Sequence, residues 1–455
     1  MKNFTPPYPT PHKNKTNFLK RLFRCSNSWI HTLFEKSYKM KMGYLRLPGA
    51  DLFMVNEKSL VKRIMVTEAD KFPKHQHIEE VLKPLLGESI FTTNGEIWRK
   101  QRAMIDPAFS HTRLEKAFPL MNEAVQEMLE RMLRQESGTE NIIDVEMTHI
   151  TADIIFRTIL SAPLSAEDAQ QIFSAFNEFQ EAVQRITLLH AYRLPAYFQK
   201  KKSEKSAAKI RPILAKVIRK RYEDFQSGTD IENRDILSSL MHATDKESGK
   251  HFSYDELVDH ICMLFLAGHE TSASALTWSL YLVSECPDIQ QKIYAEICEV
   301  TKGGEINFTH IKKLKFTFDV FREALRLYPP VGFFLRTASE DTCMRDREVK
   351  KDAMVMVSPW LIHRHQDQWK CPHQFMPERF AENDAKESLK SSYLPFGKGQ
   401  RLCIGQGFAN QEAVLILANL IRNFRFENPQ GQIPEPLGRV TVRPRKAIKL
   451  IMHKR

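Results

Sequence analysis

The run Phe396-Gly397-Lys398-Gly399-Gln400-Arg401-Leu402-Cys403-Ile404-Gly405 sets a single cysteine among glycines, just before a stretch patterned as a helix. A thiolate placed there faces a helix N-terminus, whose unpaired N–H groups stabilise negative charge. Gly405 permits close backbone approach of a flat ligand, and Phe396 can cover the sulfur. The arrangement suits one thiolate ligand to a metal; the plainer alternative is a cysteine buried as inert core. A second set follows the apolar run Ile261 to Gly268. Glu270 and Thr271 put an acid beside a hydroxyl in the middle of an apolar helix, which is costly unless used. Together they can relay protons, although a mid-helix threonine can instead bond the carbonyl four residues back. His269 between them reads as a packing residue rather than a ligand or shuttle. Glu323 and Arg326 are three apart, Trp98 and Arg102 four apart, so each pair shares a helix face.

Helices must hold these groups. Ser253-Tyr254-Asp255-Glu256 has the form of a capping box, and no proline or stop signal follows before Glu285. The spacing predicts a helix of roughly 32 residues, about 48 Å long. Its middle is apolar nearly all round, so it is expected to cross the protein centre. A second helix is predicted from Ile311 to Leu327, ending before Pro329-Pro330, and a third after Cys403 to about Phe424. Trp98 to Ala103, Leu114 to Leu133, Ser165 to Leu188 and Ser206 to Phe225 carry apolar residues at three- and four-residue spacing. Lys200-Lys201-Lys202 is placed in a loop between helices. Strands are short: Leu45 to Leu47, Leu52 to Val55 and Ala353 to Ser358. Few strands beside many helices imply a mainly α fold of the α+β kind, a large helical domain with a small β-rich subdomain.

The chain has 455 residues, 42% apolar and 27% charged, which excludes disordered and collagen-like classes. Only 17 residues are glycine, against a usual share of about 7%, and this suits a helix-rich body. The 67 Lys and Arg exceed the 55 Asp and Glu by 12, a balance that suits acidic partners; no nucleic-acid motif accompanies it. Seven cysteines, none in a Cys-x-x-Cys pair, exclude zinc ribbons, iron–sulfur runs and covalent haem attachment, and suit a reducing compartment. Six cations precede the first acid, Glu35, in a stretch that also holds Pro6, Pro7, Pro9 and Pro11. Residues 1–39 therefore read as a basic, proline-containing extension. With no signal peptide and no run of eighteen apolar residues, the protein is expected in the cytoplasm without a transmembrane anchor. Phe18-Leu19 and Leu22-Phe23 are expected to pack on their own domain rather than touch a membrane.

Phe396, Gly399, Arg401, Cys403 and Gly405 fill the pattern Phe-x-x-Gly-x-Arg-x-Cys-x-Gly, and the run resembles the haem-binding loop of the cytochrome P-450 family. Four more signatures stand in the family's order: Trp98 with Arg102, Ala267-Gly268-His269-Glu270-Thr271, Glu323-Ala324-Leu325-Arg326, and Phe375-Met376-Pro377-Glu378-Arg379-Phe380. The resemblance runs from about residue 40 to the C-terminus and implies one haem-thiolate catalytic domain over 40–455. It implies haem b with Cys403 as axial ligand, in a site that includes Ala267, Phe396, Gly399 and Gly405. The haem is expected to be non-covalent, because Ala267 stands where covalently linked members carry Glu. Trp98, Arg102, Arg336 and Arg401 would bind the propionates. Glu323, Arg326 and Arg379 would form a structural triad, and Glu270 with Thr271 would relay protons to dioxygen.

The implied activity is a monooxygenase that takes external electrons and oxidises a hydrophobic small molecule, fatty-acid-like or lipid. The alternatives are a tailoring oxidase for an aromatic or phenolic substrate, oxidative coupling included, and a peroxide-using haem-thiolate enzyme. Fifty-two residues follow Cys403, too few for a flavin or iron–sulfur domain, so a separate ferredoxin or flavodoxin with its reductase is expected. Arg99, Lys100 and Lys398 are the expected docking patch. The loop Phe72 to Asn94, the phenylalanines Phe173, Phe176 and Phe179, and Val331 to Phe334 are expected to line the pocket. The enzyme is expected to be a monomer that does not bind nucleic acid.

Overall fold

The structure, a computed structural model, describes residues 4–13, 28–46, 51–162, 165–229, 235–381 and 385–455. Phe18-Leu19 and Leu22-Phe23 lie outside the described residues. The principal helices are α1 (Gln76–Leu86), α2 (Gly95–Ile105), α3 (His111–Leu133), α4 (Ile143–Leu160), α5 (Ala166–Ala191), α6 (Tyr197–Gln226), α7 (Tyr254–Ser284), α8 (Pro287–Thr301), α9 (Lys315–Leu327) and α10 (Gln406–Asn423). A four-stranded sheet stands to one side, built from β1 (Met42–Arg46), β2 (Asp51–Val55), β3 (Phe334–Thr337) and β4 (Met354–Val357). Its order is β1-β2-β4-β3, antiparallel except for the parallel β2/β4 pair, with Arg336 opposite Val355. A smaller three-stranded sheet joins Thr139–Ile142, Lys449–Lys454 and Phe424–Glu427. The mainly helical fold with a small β portion is the one the sequence predicts.

Helix α7 begins as its capping box requires. Ser253 Oγ accepts the Glu256 N–H at 3.3 Å, and the Glu256 carboxylate accepts the Ser253 N–H at 2.8 Å. From Ile261 to Ser284 the helix is buried except at Leu266, Ala267, Gly268 and Thr271, one window in the middle of an otherwise enclosed rod. Helix α4 packs along α7 and is itself buried on nearly every side from Ile150 to Leu160. Because α4 lacks a polar face, its sequence shows no stripe of helical period.

Three placements differ from expectation. The segment Phe72 to Asn94, expected as a loop, holds helix α1. Lys200, Lys201 and Lys202 lie within α6, not in a loop: lysine is a good helix former, and Lys202 and Lys209 reach Glu181 and Glu178 across the α5/α6 pair. Helix α9 starts at Lys315 rather than Ile311. The Glu296 carboxylate of α8 accepts the N–H groups of Phe316 (2.6 Å) and Thr317 (2.9 Å), supplying the cap there.

The described N-terminal residues contact the body. Phe4 O accepts from Phe375 N–H at 3.0 Å, Pro7 O accepts from the buried Tyr328 hydroxyl at 2.6 Å, and Tyr8 stacks on His373. Among the described residues no helix is long and apolar enough to cross a membrane.

Candidate functional site

Residues 396–405 form a tight loop ahead of α10. Gly399–Arg401 makes one 3-10 turn, and the Cys403 N–H closes the loop on Phe396 O at 2.9 Å. Cys403 Sγ accepts from the Gly405 N–H at the mouth of α10. The side chain is accessible, yet protein surrounds it on all sides, so the access is to an interior space. Burial pushes the thiol up, against the opposing pull of the Gly405 N–H and Arg102. A Cβ at Gly405 would stand 4.0 Å from that sulfur and touch nothing nearer.

Gly399 is required more strictly. Its φ is +70°, and a Cβ would fall 2.0 Å from the Met65 carbonyl oxygen. The backbone conformation alone costs about 1–3 kcal/mol for any other residue. Gly399→Ala is therefore expected to weaken haem affinity by about 5- to 150-fold, the equivalent of that strain, while leaving the helical circular-dichroism signal intact. A variant that binds haem as tightly as the parent would refute this.

Beside the loop lies a cavity of about 300 Å³ whose wall includes Lys74, Trp98, Arg336 and Arg401. Arg336, on β3, is buried; its Nη1 donates to Leu335 O at 3.1 Å, and burial lowers its pKa to about 10. Arg401 stacks over the Trp98 ring at 3.7 Å and donates to Thr93 O and Asn94 Oδ1, each at 3.1 Å. Burial, then Arg336 and Arg102, bring its pKa to about 9. Lys74 Nζ donates to Ile90 O (2.9 Å) and Phe91 O (2.5 Å), and burial followed by Arg401 and Arg336 drives its pKa well down. Arg102 spans Asp106 and Leu402 O. The carboxylate at the rim, Asp70, is bound to Arg99 and Gln400.

Among the described residues no carboxylate forms an ion pair with Lys74, Arg336 or Arg401. Such a cluster repels itself until an anion enters, and it fits a planar ligand carrying two carboxylates beside a thiolate. Of the four residues expected from the sequence, Trp98, Arg336 and Arg401 line this cavity, and Arg102 stands outside its wall, near enough to bear on the charge of Arg401. The sequence reading missed Lys74, which carries no signal apart from its place before α1.

On α7 the two chemically active neighbours point apart. Glu270 is 3% exposed and accepts from Gln180 Nε2 (2.9 Å), Thr441 Oγ1 (2.8 Å) and the Arg443 guanidinium. Burial acts to raise its pKa, but Arg443, His269 and the two hydrogen bonds outweigh it and hold the carboxyl below the usual range. Thr271 Oγ1 instead donates to Ala267 O at 2.6 Å, the bond to the carbonyl four back. Ala267 and Thr271 both lie in the helix window, so Ala267 offers space and no side-chain ligand. His269 Nδ1 bonds Phe265 O at 2.9 Å within a nest of Phe173, Phe176 and Phe265 rings. It is a packing residue, as the sequence suggests. Phe176 and Phe179, expected on the pocket wall, are at most 3% exposed and belong to this core.

The triad assembles as a fully buried network. Arg326 forks onto Glu323 at 2.8 and 2.9 Å, Arg379 Nε donates to Glu323 at 2.9 Å, and the Met376 N–H donates to the same carboxylate at 2.9 Å. The second positive charge is spread over the carbonyls of His363, Pro372 and Gln374 from Arg326, and of Lys370, Cys371 and Gln374 from Arg379. His363 carries this network towards the loop: Nδ1 donates to Arg326 O at 3.1 Å, so Nε2 accepts the Leu394 N–H at 2.8 Å.

The sequence reading also missed Glu412 on α10. It is 0% exposed and reaches the Ser272 hydroxyl of α7; otherwise its carboxyl oxygens have no partner among the described residues. Burial pushes its pKa up to about 8.

The model of the family described as Cytochrome P450 matches residues 6–452. Cyclooctatin synthase of Streptomyces melanosporofaciens is 31% identical over 416 residues, 89% of this chain and 85% of the relative. A cytokinin hydroxylase of Arabidopsis thaliana is 29% identical over 88% of this chain and 78% of its own. Cytochrome P450 4V2 of Pongo abelii is 29% identical over 82% and 75%. By the full-length match and the cation-walled thiolate loop, this chain belongs to the cytochrome P450 family, as a monooxygenase that binds haem b through an axial cysteine thiolate and uses dioxygen with redox partners.

Proposed function

We propose that Cys403 is the axial thiolate and that the enzyme hydroxylates, or otherwise oxidises, a hydrophobic small molecule of fatty-acid-like or lipid character. The observation that supports this most is the uncompensated cluster of Lys74, Arg336 and Arg401 beside the cysteine loop. With Arg102, these groups would hold the two propionates, while Gly399 lets the loop pass the Met65 backbone and Gly405 leaves the space beside the sulfur clear. Haem b, when bound, supplies the oxygen and redox chemistry. The protein's part is to exclude water, leave space at Ala267 and handle protons at Glu270 and Thr271. Glu323, Arg326 and Arg379 act as scaffold. Relatives named for cyclooctatin and for cytokinin show that substrates differ widely at this identity, so the lipid reading rests on the partly exposed apolar side chains of Val331, Phe333 and Phe334.

Electrons would come from a separate ferredoxin or flavodoxin. Of the expected docking cations, Arg99 is paired with Asp70 and Lys100 with Glu247, while Lys398 donates to Lys390 O and has no carboxylate partner among the described residues. The test is spectroscopic. Haem-loaded, reduced protein exposed to carbon monoxide is expected to show the red-shifted thiolate Soret band, Cys403→Ser is expected to abolish it, and lauric acid is expected to shift the resting spin state. A Cys403→Ser protein that keeps both the band and oxidation would overturn the assignment.

A further inference from the structure

Helix α1 is fastened at both ends to the rest of the fold. Before it, the Lys74 N–H donates to Asn94 Oδ1 at 3.1 Å, Asn94 Nδ2 returns a bond to Lys74 O at 3.3 Å, and the His75 N–H reaches Leu335 O at 3.4 Å. After it, the Glu88 N–H donates to the Asp259 carboxylate of α7 at 2.8 Å, and Arg211 of α6 ties that carboxylate (2.7 Å) to Leu85 O (2.9 Å). The C-terminal end of α5 meets α1 differently, through imidazoles. His77, 3% exposed, stacks on His190 with 4.1 Å between ring centroids and 23° between planes. His77 Nε2 bonds Thr187 Oγ1 at 3.2 Å, and His75 Nδ1 accepts the His77 N–H at 3.1 Å as the cap of α1.

These bonds fix the protons. Thr187 spends its one hydroxyl hydrogen on Val183 O at 2.9 Å, so His77 Nε2 carries the hydrogen of its bond to Thr187 and Nδ1 keeps a lone pair. That Nδ1 is buried without a partner. A proton there would have no acceptor and would set a charge against the His190 ring. On His75, a proton at Nδ1 would take the lone pair that caps α1. The groups that bear on the charge of His77 are His190 of α5, His75 beside α1 and Lys200 of α6, each positive when charged. Glu80 of α1 acts on His75 in the opposite sense. The seam holds neutral rings and strains against charged ones.

We propose that His75, His77 and His190 form an acid-released catch, which fastens the end of α5 to α1 while its rings are neutral and lets go when they are protonated. Helix α1, pinned by bonds to Asn94, Leu335, Asp259 and Arg211, is the fixed side; the end of α5 and the turn before α6 are the moving side. Both α1 and α5 flank α7: Glu88 just past α1 bonds Asp259, and Gln180 of α5 bonds Glu270. Parting them opens a way toward the helix window at Ala267 and Thr271. Only what passes through it rests on the hydrophobic substrate proposed above. Burial, then His190, His75 and Lys200, lower the His77 pKa from 6.5 to about 3 in the fastened state. A released ring in water titrates at the ordinary value, so fastening sheds a proton. The hold is full above pH 6.5, weakens about tenfold per unit below it and is spent near 3.

The test uses haem-loaded parent and His77→Gln, whose amide can still donate to Thr187 but takes no proton. Hydrogen exchange is measured by mass spectrometry at pH 7.5 and 5.5, each rate divided by that of the unstructured peptide at the same pH. In the parent, protection over residues 184–191 is expected to fall about tenfold at pH 5.5, while α9 keeps its own; in His77→Gln it is expected to be equal at both values. The second readout is the rate at which 1-dodecanol, uncharged throughout, shifts the resting spin state, expected to rise several-fold at pH 5.5 in the parent alone. Equal protection in the parent at both pH values overturns the catch, and needs no variant to show it. An equal fall in His77→Gln overturns it too, because the protons then act elsewhere. If 1-dodecanol shifts nothing at either pH, the hydrophobic-substrate reading fails and exchange alone judges the catch.

Discussion

Glu323→Ala is expected to yield no stable, haem-competent protein. The carboxylate is the common acceptor for Arg326 and Arg379, which are 0% and 4% exposed, and for the Met376 N–H. Removing one partner of a buried ion pair costs about 3–5 kcal/mol, because the remaining charge is left uncompensated. Here two guanidinium groups lose their only shared acid, against a total stability of about 5–15 kcal/mol. Soluble yield and the thermal melt, with near-ultraviolet circular dichroism for tertiary packing, check this. Glu323→Gln keeps the hydrogen-bond shape without the charge and is expected to fall between. Acid should mimic the lesion. Burial acts to raise the Glu323 pKa, but Arg326 and Arg379 outweigh it and hold it below 4.5. A lowered folded value contributes stability above the unfolded value, and that contribution is lost as pH falls below about 4.5. An alanine variant melting with the parent would show that the network is decorative.

Glu412→Gln is expected to act in the opposite sense and at the other end of the pH scale. The acid sits at 0% exposure with Ser272 as its polar contact and a pKa pushed up to about 8 from 4.5. A raised folded value means that its contribution is fully present below about pH 4.5 and is lost as pH climbs through 8. At roughly 1.4 kcal/mol per pKa unit the effect reaches several kcal/mol. Glutamine is a permanent mimic of the neutral acid. The variant is expected to melt near the parent at pH 5 and well above it at pH 9, with a flatter profile between. Parallel melting profiles across that range would show that Glu412 carries charge in the folded state.

These two acids differ in what their neighbourhoods in sequence reveal. Glu323 is matched three residues on by Arg326, a spacing that a helix turns into contact, and Cys403 is bracketed by glycines and an arginine within eight residues. Helix α7 is announced by its own capping box. By contrast, Glu270 finds Gln180, Thr441 and Arg443 at separations of 90, 171 and 173 residues. Nothing local records such contacts, because they are made by packing elements that the chain joins late. Lys74 is the same case: its role comes from Ile90, Phe91, Arg336 and Arg401 closing around it. Glu412 did leave a trace, as a lone acid at the head of the apolar run Ala413 to Ala418. Phenylalanines at helical spacing look alike whether they face a cavity or the core, where Phe176 packs on His269 and Phe179 on Phe176.

The histidine that joins the triad to the cysteine loop has a consequence for assembly. Through His363, the peptide at Leu394 hangs from Arg326, and so from Glu323, by bonds made wholly within the polypeptide. The socket beneath the pigment should therefore be set before iron arrives, and apoprotein should capture haem as a ready mould does. Slow steps in loading belong to the cavity beside that loop, where mutually repelling cations wait for their counter-ions.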